Sequence, residues 1–156
     1  MNEHEEIGLD FLIDKLTNSI ENVVTGDSFA TDISLLKSSD LKNITKKNNW
    51  LFDWKQEFKK PEKDVFKLTI VNNSEIIQGL ICLEVKKDHV YMHLVESSPF
   101  NKGKTKVYDG VPGNLVAFAR KLSFQSGHDG NVSFVSKTQL IIIMKNRLEQ
   151  SILVED

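Results

Sequence analysis

The sequence predicts an α+β domain built on a mixed, mostly antiparallel sheet with helices on both faces, and three observations predict it. Residues 64–96 hold three consecutive segments rich in β-branched and aromatic residues, divided by polar turns, as in an antiparallel meander. Residues 41–60 and 113–125, on either side of the meander, carry apolar residues at helical spacing. The run from 90 to 136 then reads strand, crossing, helix, strand, an order that returns a strand parallel to its partner.

A chain of 156 residues, 40% hydrophobic and 27% charged, fits one soluble domain with its own core. The expected division is a single domain over 1–156: an N-terminal helix to 18, a core over 19–137, and a divergent C-terminal helix over 138–156. The net charge of −2 gives no electrostatic case for nucleic acid or a membrane as partner. Arg120 and Arg147 are the only arginines, so bidentate readout of phosphates or bases is mostly closed to this chain. Cys82 is the only cysteine. That excludes an internal disulfide and a multi-cysteine zinc site, and fits a reducing cytoplasm. The acidic start MNEHEEIG lacks the basic region of a signal peptide.

In chain order, Ile7, Phe11, Leu12 and Leu16 share a helical face over 7–18. Residues 20–36 alternate about the turn TGDS and read as a hairpin, with Phe29, Thr31, Ile33 and Leu35 on one side. Ser38, Ser39 and Asp40 cap a helix over 41–60, with Leu41, Ile44, Leu51, Trp54 and Phe58 in one stripe and Pro61 as the stop. Trp50 and Trp54 read as packing residues. After the meander, a helix over about 113–125 buries Leu115, Phe118, Ala119 and Leu122 and ends at SGHDG. A short strand, 131–136, places Val132 and Phe134 on one face, and Thr138 caps a last helix over 139–152.

The segment with chemical content is residues 90–124. A strand that leaves through a glycine-rich loop into a helix aims free backbone N–H groups and the positive helix end at one point, a geometry suited to phosphate. Lys102, Lys104 and Lys106 add positive charge beside it. Glu96 ends the strand, where a carboxylate is placed either to deprotonate an amine or to cap a turn. His93, three residues earlier, is expected on the opposite face of the strand as a partly buried structural histidine. Tyr108 reads as a surface loop residue. His89 and His128 have no ligand-spaced partner, so no metal site is expected.

The element order and the phrases LVESSPFNKGKTKVYDGVPGNLVAFARKLSF, WLFDW and KLTIVNNSEIIQGLICLE resemble the GNAT (general N-acetyltransferase) superfamily, within it a small uncharacterised bacterial group. The resemblance covers roughly residues 20–141. It implies acetyl-CoA as cofactor, an unknown amine as acceptor and a GNAT-like sheet. It also implies roles for individual residues: Ser97 and Ser98 beside Glu96 along the pantetheine arm, Gly110, Val111, Gly113 and Asn114 facing the pyrophosphate, and Lys102 and Lys104 meeting the adenosine phosphate. Glu96 is the base in this reading. The alternative is a non-catalytic binding or regulatory relative. The chain departs from the superfamily's Arg/Gln-x-x-Gly-x-Gly/Ala motif at Val107 and Pro112, and its lysine-rich crossing is longer.

In many members a tyrosine on the last helix protonates the leaving thiolate. Here no tyrosine follows Tyr108, and Met144 stands at the corresponding position. The expectation is therefore a C-terminus truncated or replaced by a frameshift, with the final strands lacking. A sheet so shortened would leave 131–136 as an edge open to self-association.

Overall fold

The computed structural model describes residues 19–134. The expected helices over 7–18 and 139–152, and the position of Met144, lie outside them. Seven strands form one sheet: β1 (Ser19–Asn22), β2 (Ser28–Leu35), β3 (Asp64–Ile70), β4 (Gly79–Val85), β5 (Val90–Ser97), β6 (Tyr108–Asp109) and β7 (Val132–Phe134). Their spatial order is β6-β1-β2-β3-β4-β5-β7. Every neighbouring pair is antiparallel except β5 with β7, which run parallel from Val90↔Val132 to Met92↔Phe134. The hairpin, the meander and the crossover follow the sequence pattern, and the fold is α+β.

Period-two alternation sends the side chains of β3–β5 into two cores. On one face Leu68, Ile81, Leu83, Met92 and Val95 pack against Val111, Leu115, Val116 and Ala119 of the long helix α2 (Val111–Gln125). On the other, Val65, Leu80 and Cys82 meet Leu36, Leu41, Ile44, Trp50 and Trp54. Both faces of the central strands are covered, which explains why they read as nearly continuous apolar runs. Each fully buried leucine or isoleucine here contributes about 1.5–3 kcal/mol.

The second core is roofed by residues 36–63, and here the sequence reading is corrected. The single helix expected over 41–60 is instead two 3₁₀ segments, Ser38–Asn43 and Lys46–Asn48, and a short α1 (Trp54–Phe58). Local hydrogen bonding breaks the helix. Thr45 accepts the Asn48 N–H, Asn49 turns left-handed at φ 74°, and Asp53 accepts the Gln56 N–H to start α1. These side chains offer the backbone alternatives to helical bonds. Leu51, expected in the buried stripe, is 62% exposed.

Two smaller corrections bear on the site. Tyr108 lies in β6, beside β1, with its ring edge-on to Phe29 at 5.9 Å, so it is a packed strand residue. In β5 the register slips: Cys82 pairs with Leu94 but Leu83 with Met92, which leaves His93 as the extra residue of a bulge. His93 therefore joins Glu84 and Tyr91, on the face that also carries Leu80, Cys82 and Glu96.

Gly79 opens β4 at the point where α2 crosses the sheet. A Cβ there would stand 2.7 Å from Val111 Cγ1, 3.1 Å from Leu115 Cδ1 and 3.1 Å from the Glu96 carbonyl oxygen. Gly79→Ala is expected to cost about 1–3 kcal/mol in chemical denaturation, as overpacking does, because backbone on one side and helix on the other block relief. Wild-type stability in that variant would show the junction to be looser than described.

Candidate functional site

Glu96 is a carboxylate in a sheet interior, 4% exposed, directly beneath the roof. Its oxygens accept four hydrogen bonds: from the Leu51 N–H at 2.6 Å, the Phe52 N–H at 3.2 Å, Trp54 Nε1 at 2.6 Å and Lys102 Nζ at 2.5 Å. A carboxylate offers about four lone-pair sites, so the set is full. Three donors come from the roof and one from the loop after β5. Glu96 thus replaces the carbonyl acceptors that Leu51 and Phe52 would have had in a continuous helix. For Glu96 to take a proton, a donor must first leave. Lys102 is the candidate, since its side chain is 38% exposed while the roof N–H groups would be left unsatisfied.

The loop from β5 to α2 is anchored by a second buried polar cluster. Ser98 N–H and Oγ both donate to the Gln78 carbonyl. Asn101 Nδ2 donates to the same carbonyl at 3.1 Å and to Gln78 Oε1 at 2.9 Å, while its Oδ1 accepts the Tyr108 N–H. Between these anchors Lys104 is exposed, and Lys106 pairs with Asp109 at 2.7 Å.

At the start of α2, Gly110 is left-handed at φ 97°, a conformation that suits glycine. The first turn of a helix leaves its N–H groups without intrahelical acceptors. Here Val111 and Gly113 supply them and Pro112 has none. Asn114 spends its side chain internally: Nδ2 donates to the Ser19 and Gly110 carbonyls, and Oδ1 accepts from Thr31 Oγ1 at 2.9 Å. The backbone of this turn fits an anion such as pyrophosphate. The Ser98 hydroxyl and the Asn114 amide, each committed within the chain, add no side-chain grip.

The structure therefore joins Glu96 to Lys102, and Gly110 to Asn114, while Ser98 belongs to the Gln78 cluster and Lys104 stands apart on the loop. Trp54, Gln78 and Asn101 were not candidates from sequence. For Trp54 the signal was a charged residue inside a buried strand, which demands donors from somewhere; Gln78 and Asn101 bond each other and Ser98 through tertiary contacts that no local pattern announces. A half-open cavity of about 320 Å³ lies on the opposite face from Glu96, between β2 and α2, lined by Thr31, Ile33, Asn114, Ala117, Phe118 and Lys121.

Other titratable groups near Glu96's face are structural. Burial pushes the Cys82 thiol up to about 12, and nearby Glu57 adds to the rise, so it carries no thiolate at neutral pH. Burial depresses His93, against the Glu84 carboxylate 2.9 Å away, which raises it. Burial works to raise Glu57, yet its bonds to Lys63 and Lys60 hold it below the usual carboxylate value.

No protein-family profile matches the chain, and no curated protein sequence does. Its fold is similar to a transcriptional regulator from Bacillus halodurans C-125, with TM-score 0.52, 10% identity, and 81% and 95% of the two chains covered. It is also similar to an aminoglycoside acetyltransferase from an uncultured soil metagenomic sample, solved with trehalose, with TM-score 0.51, 11% identity, and coverage of 81% and 91%. At such identity the likeness speaks to fold alone, and the fold is GNAT-like.

Two outcomes test this description. Glu96→Gln, which keeps shape but loses charge and two acceptor sites, should cost about 2–3 kcal/mol and change the emission of Trp54. An unchanged midpoint would mean the roof does not depend on the carboxylate. Cys82 should resist iodoacetamide in the folded chain and react only on unfolding, read by mass spectrometry.

Proposed function

We propose that this chain is an acetyl-CoA-dependent N-acetyltransferase-like protein that transfers an acetyl group to an amine. One observation carries the reading: a strand end, an anchored lysine-rich loop and an anion-ready helix start, in a fold shared with an acetyltransferase. Gly110, Val111 and Gly113 would hold the pyrophosphate through backbone N–H groups, Asn114 would fix the turn that presents them, and Lys104 would meet the adenosine phosphate. Ser97, at the half-buried end of β5, would lie along the pantetheine arm, with Ser98 anchoring the loop behind it. Bound acetyl-CoA supplies an activated thioester, whose C–S bond breaks as the amine forms its N–C bond, the amine proton ending on the thiol. Glu96 would relay that proton after Lys102 releases one of its oxygens. The rest of the chain's contribution is positioning.

A second reading, a non-catalytic GNAT-fold binding or regulatory module, is favoured by the same carboxylate: all four of its acceptor sites are occupied by this chain's own donors.

A thermal-shift titration with acetyl-CoA tests the first reading. A ligand at a hundredfold excess over Kd stabilises by about 2.7 kcal/mol, or a few degrees in a domain of this size. Absence of any shift at millimolar acetyl-CoA sinks the cofactor reading. A shift without thiol release, across a panel of amines that includes an aminoglycoside, selects the binding module.

A further inference from the structure

The roof is electrically lopsided. Residues 36–63 hold eight lysines against four acids in a chain whose net charge is −2. The acids are mostly turned to internal work. Asp40 accepts Lys67 Nζ at 2.9 Å and the Lys37 N–H at 2.8 Å, Asp53 caps α1, and Glu57 pairs with both Lys60 and Lys63. Glu62 alone among them faces solvent without such a task. The lysines left over, Lys37, Lys42, Lys46, Lys47, Lys55 and Lys59, are all exposed, and none takes part in an ion pair among the described residues.

This charge stands beside the candidate site. Lys46, Lys47 and Lys55 flank the backbone that Glu96 holds, within five residues of Leu51 on either side. On the far side of Glu96 the loop brings Lys102 and the exposed Lys104. The buried carboxylate is itself neutralised by Lys102. Glu75, in the β3–β4 turn, is an exposed acid at this end of the sheet, as are Glu21 and Asp27 of the β1–β2 hairpin at its far edge; together with the roof's exposed Asp53 and Glu62 they are fewer than the six exposed lysines of the roof. A cationic amine meets repulsion on this approach, and a polyanion is drawn in. The six lysines are spread over three separate helical segments, a span suited to an extended anion.

We infer that the roof is a docking surface for an acidic peptide, which would hold its amino group beside the end of β5, where the half-exposed Lys102 covers Glu96. The amine's fate rests on the acetyl-transfer reading; the docking does not. The probe is hexaglutamate with a free amino terminus and a fluorophore at its C-terminus, followed by anisotropy against the full chain without acetyl-CoA. Binding should weaken at least tenfold between 50 and 200 mM salt, as exposed multi-charge contacts do. The triple variant K46E/K47E/K55E should weaken it about tenfold more, since each exposed pair is worth a few tenths of a kcal/mol and reversal doubles the effect. The control K86E/K87E, at the β4–β5 turn, should leave it unchanged. Absence of hexaglutamate binding, equal binding of hexalysine, or equal loss in the control variant would overturn the proposal. Competition by free glutamate at the same charge concentration would assign the surface to small acidic amines and overturn the peptide. With acetyl-CoA added, a binding peptide that yields no thiol counts against acetyl transfer alone and leaves the docking intact.

Discussion

The structure depends on how one buried negative charge is satisfied. A carboxylate removed from water costs several kcal/mol unless donors replace the solvent. Glu96 obtains them from two parts of the chain that are otherwise separate: the roof at Leu51, Phe52 and Trp54, and the loop at Lys102. That requirement sets the path of the roof. The backbone between Trp50 and Trp54 cannot both continue a helix and turn its N–H groups down to the sheet. It does the second, and Trp50 and Trp54 pack as the lid of the second core. The remainder of the roof then closes with short capped turns.

The two polar clusters divide the labour at this end of the sheet. Glu96 holds the roof down, and Gln78 with Ser98 and Asn101 holds the loop in. Between them runs the start of β4, where Gly79 lets α2 come close. The helix start is thus fixed from below by packing, from one side by Asn114 to Ser19, and from its own loop by Asn101 to Tyr108. An anion reaching the first turn of α2 meets a preformed backbone.

Most of the fold was legible because burial and period agree along these strands. The hairpin, the meander and the crossover helix follow from alternation and turn residues, and Leu115 and Ala119 are buried where helical spacing put them. The roof was not legible. Its stripe of apolar residues satisfies a helical template, but the competition that breaks it comes from a residue 45 positions away and from three local caps. The site was half legible. A glycine-rich loop before a helix is a local pattern, and it sits where expected. The partners of Glu96 and Ser98 are tertiary, and no spacing rule announces them. Tyr108 was misplaced for a related reason: a two-residue strand is too short to show a period.

The bulge at His93 has a consequence for how the carboxylate is encoded. Were β5 to pair regularly, with His93 opposite Cys82 instead of set aside in the bulge, its far half would rotate to the opposite face and Glu96 would stand across from Gly79 instead of Leu80. Its side chain would then point into the space that Val111 and Leu115 already occupy, and the roof would lose its anchor. The position of the charge is therefore written in the bulge as much as in the identity of residue 96, and an insertion into β5 between the bulge and Glu96 is a harsher test of this site than most substitutions within it.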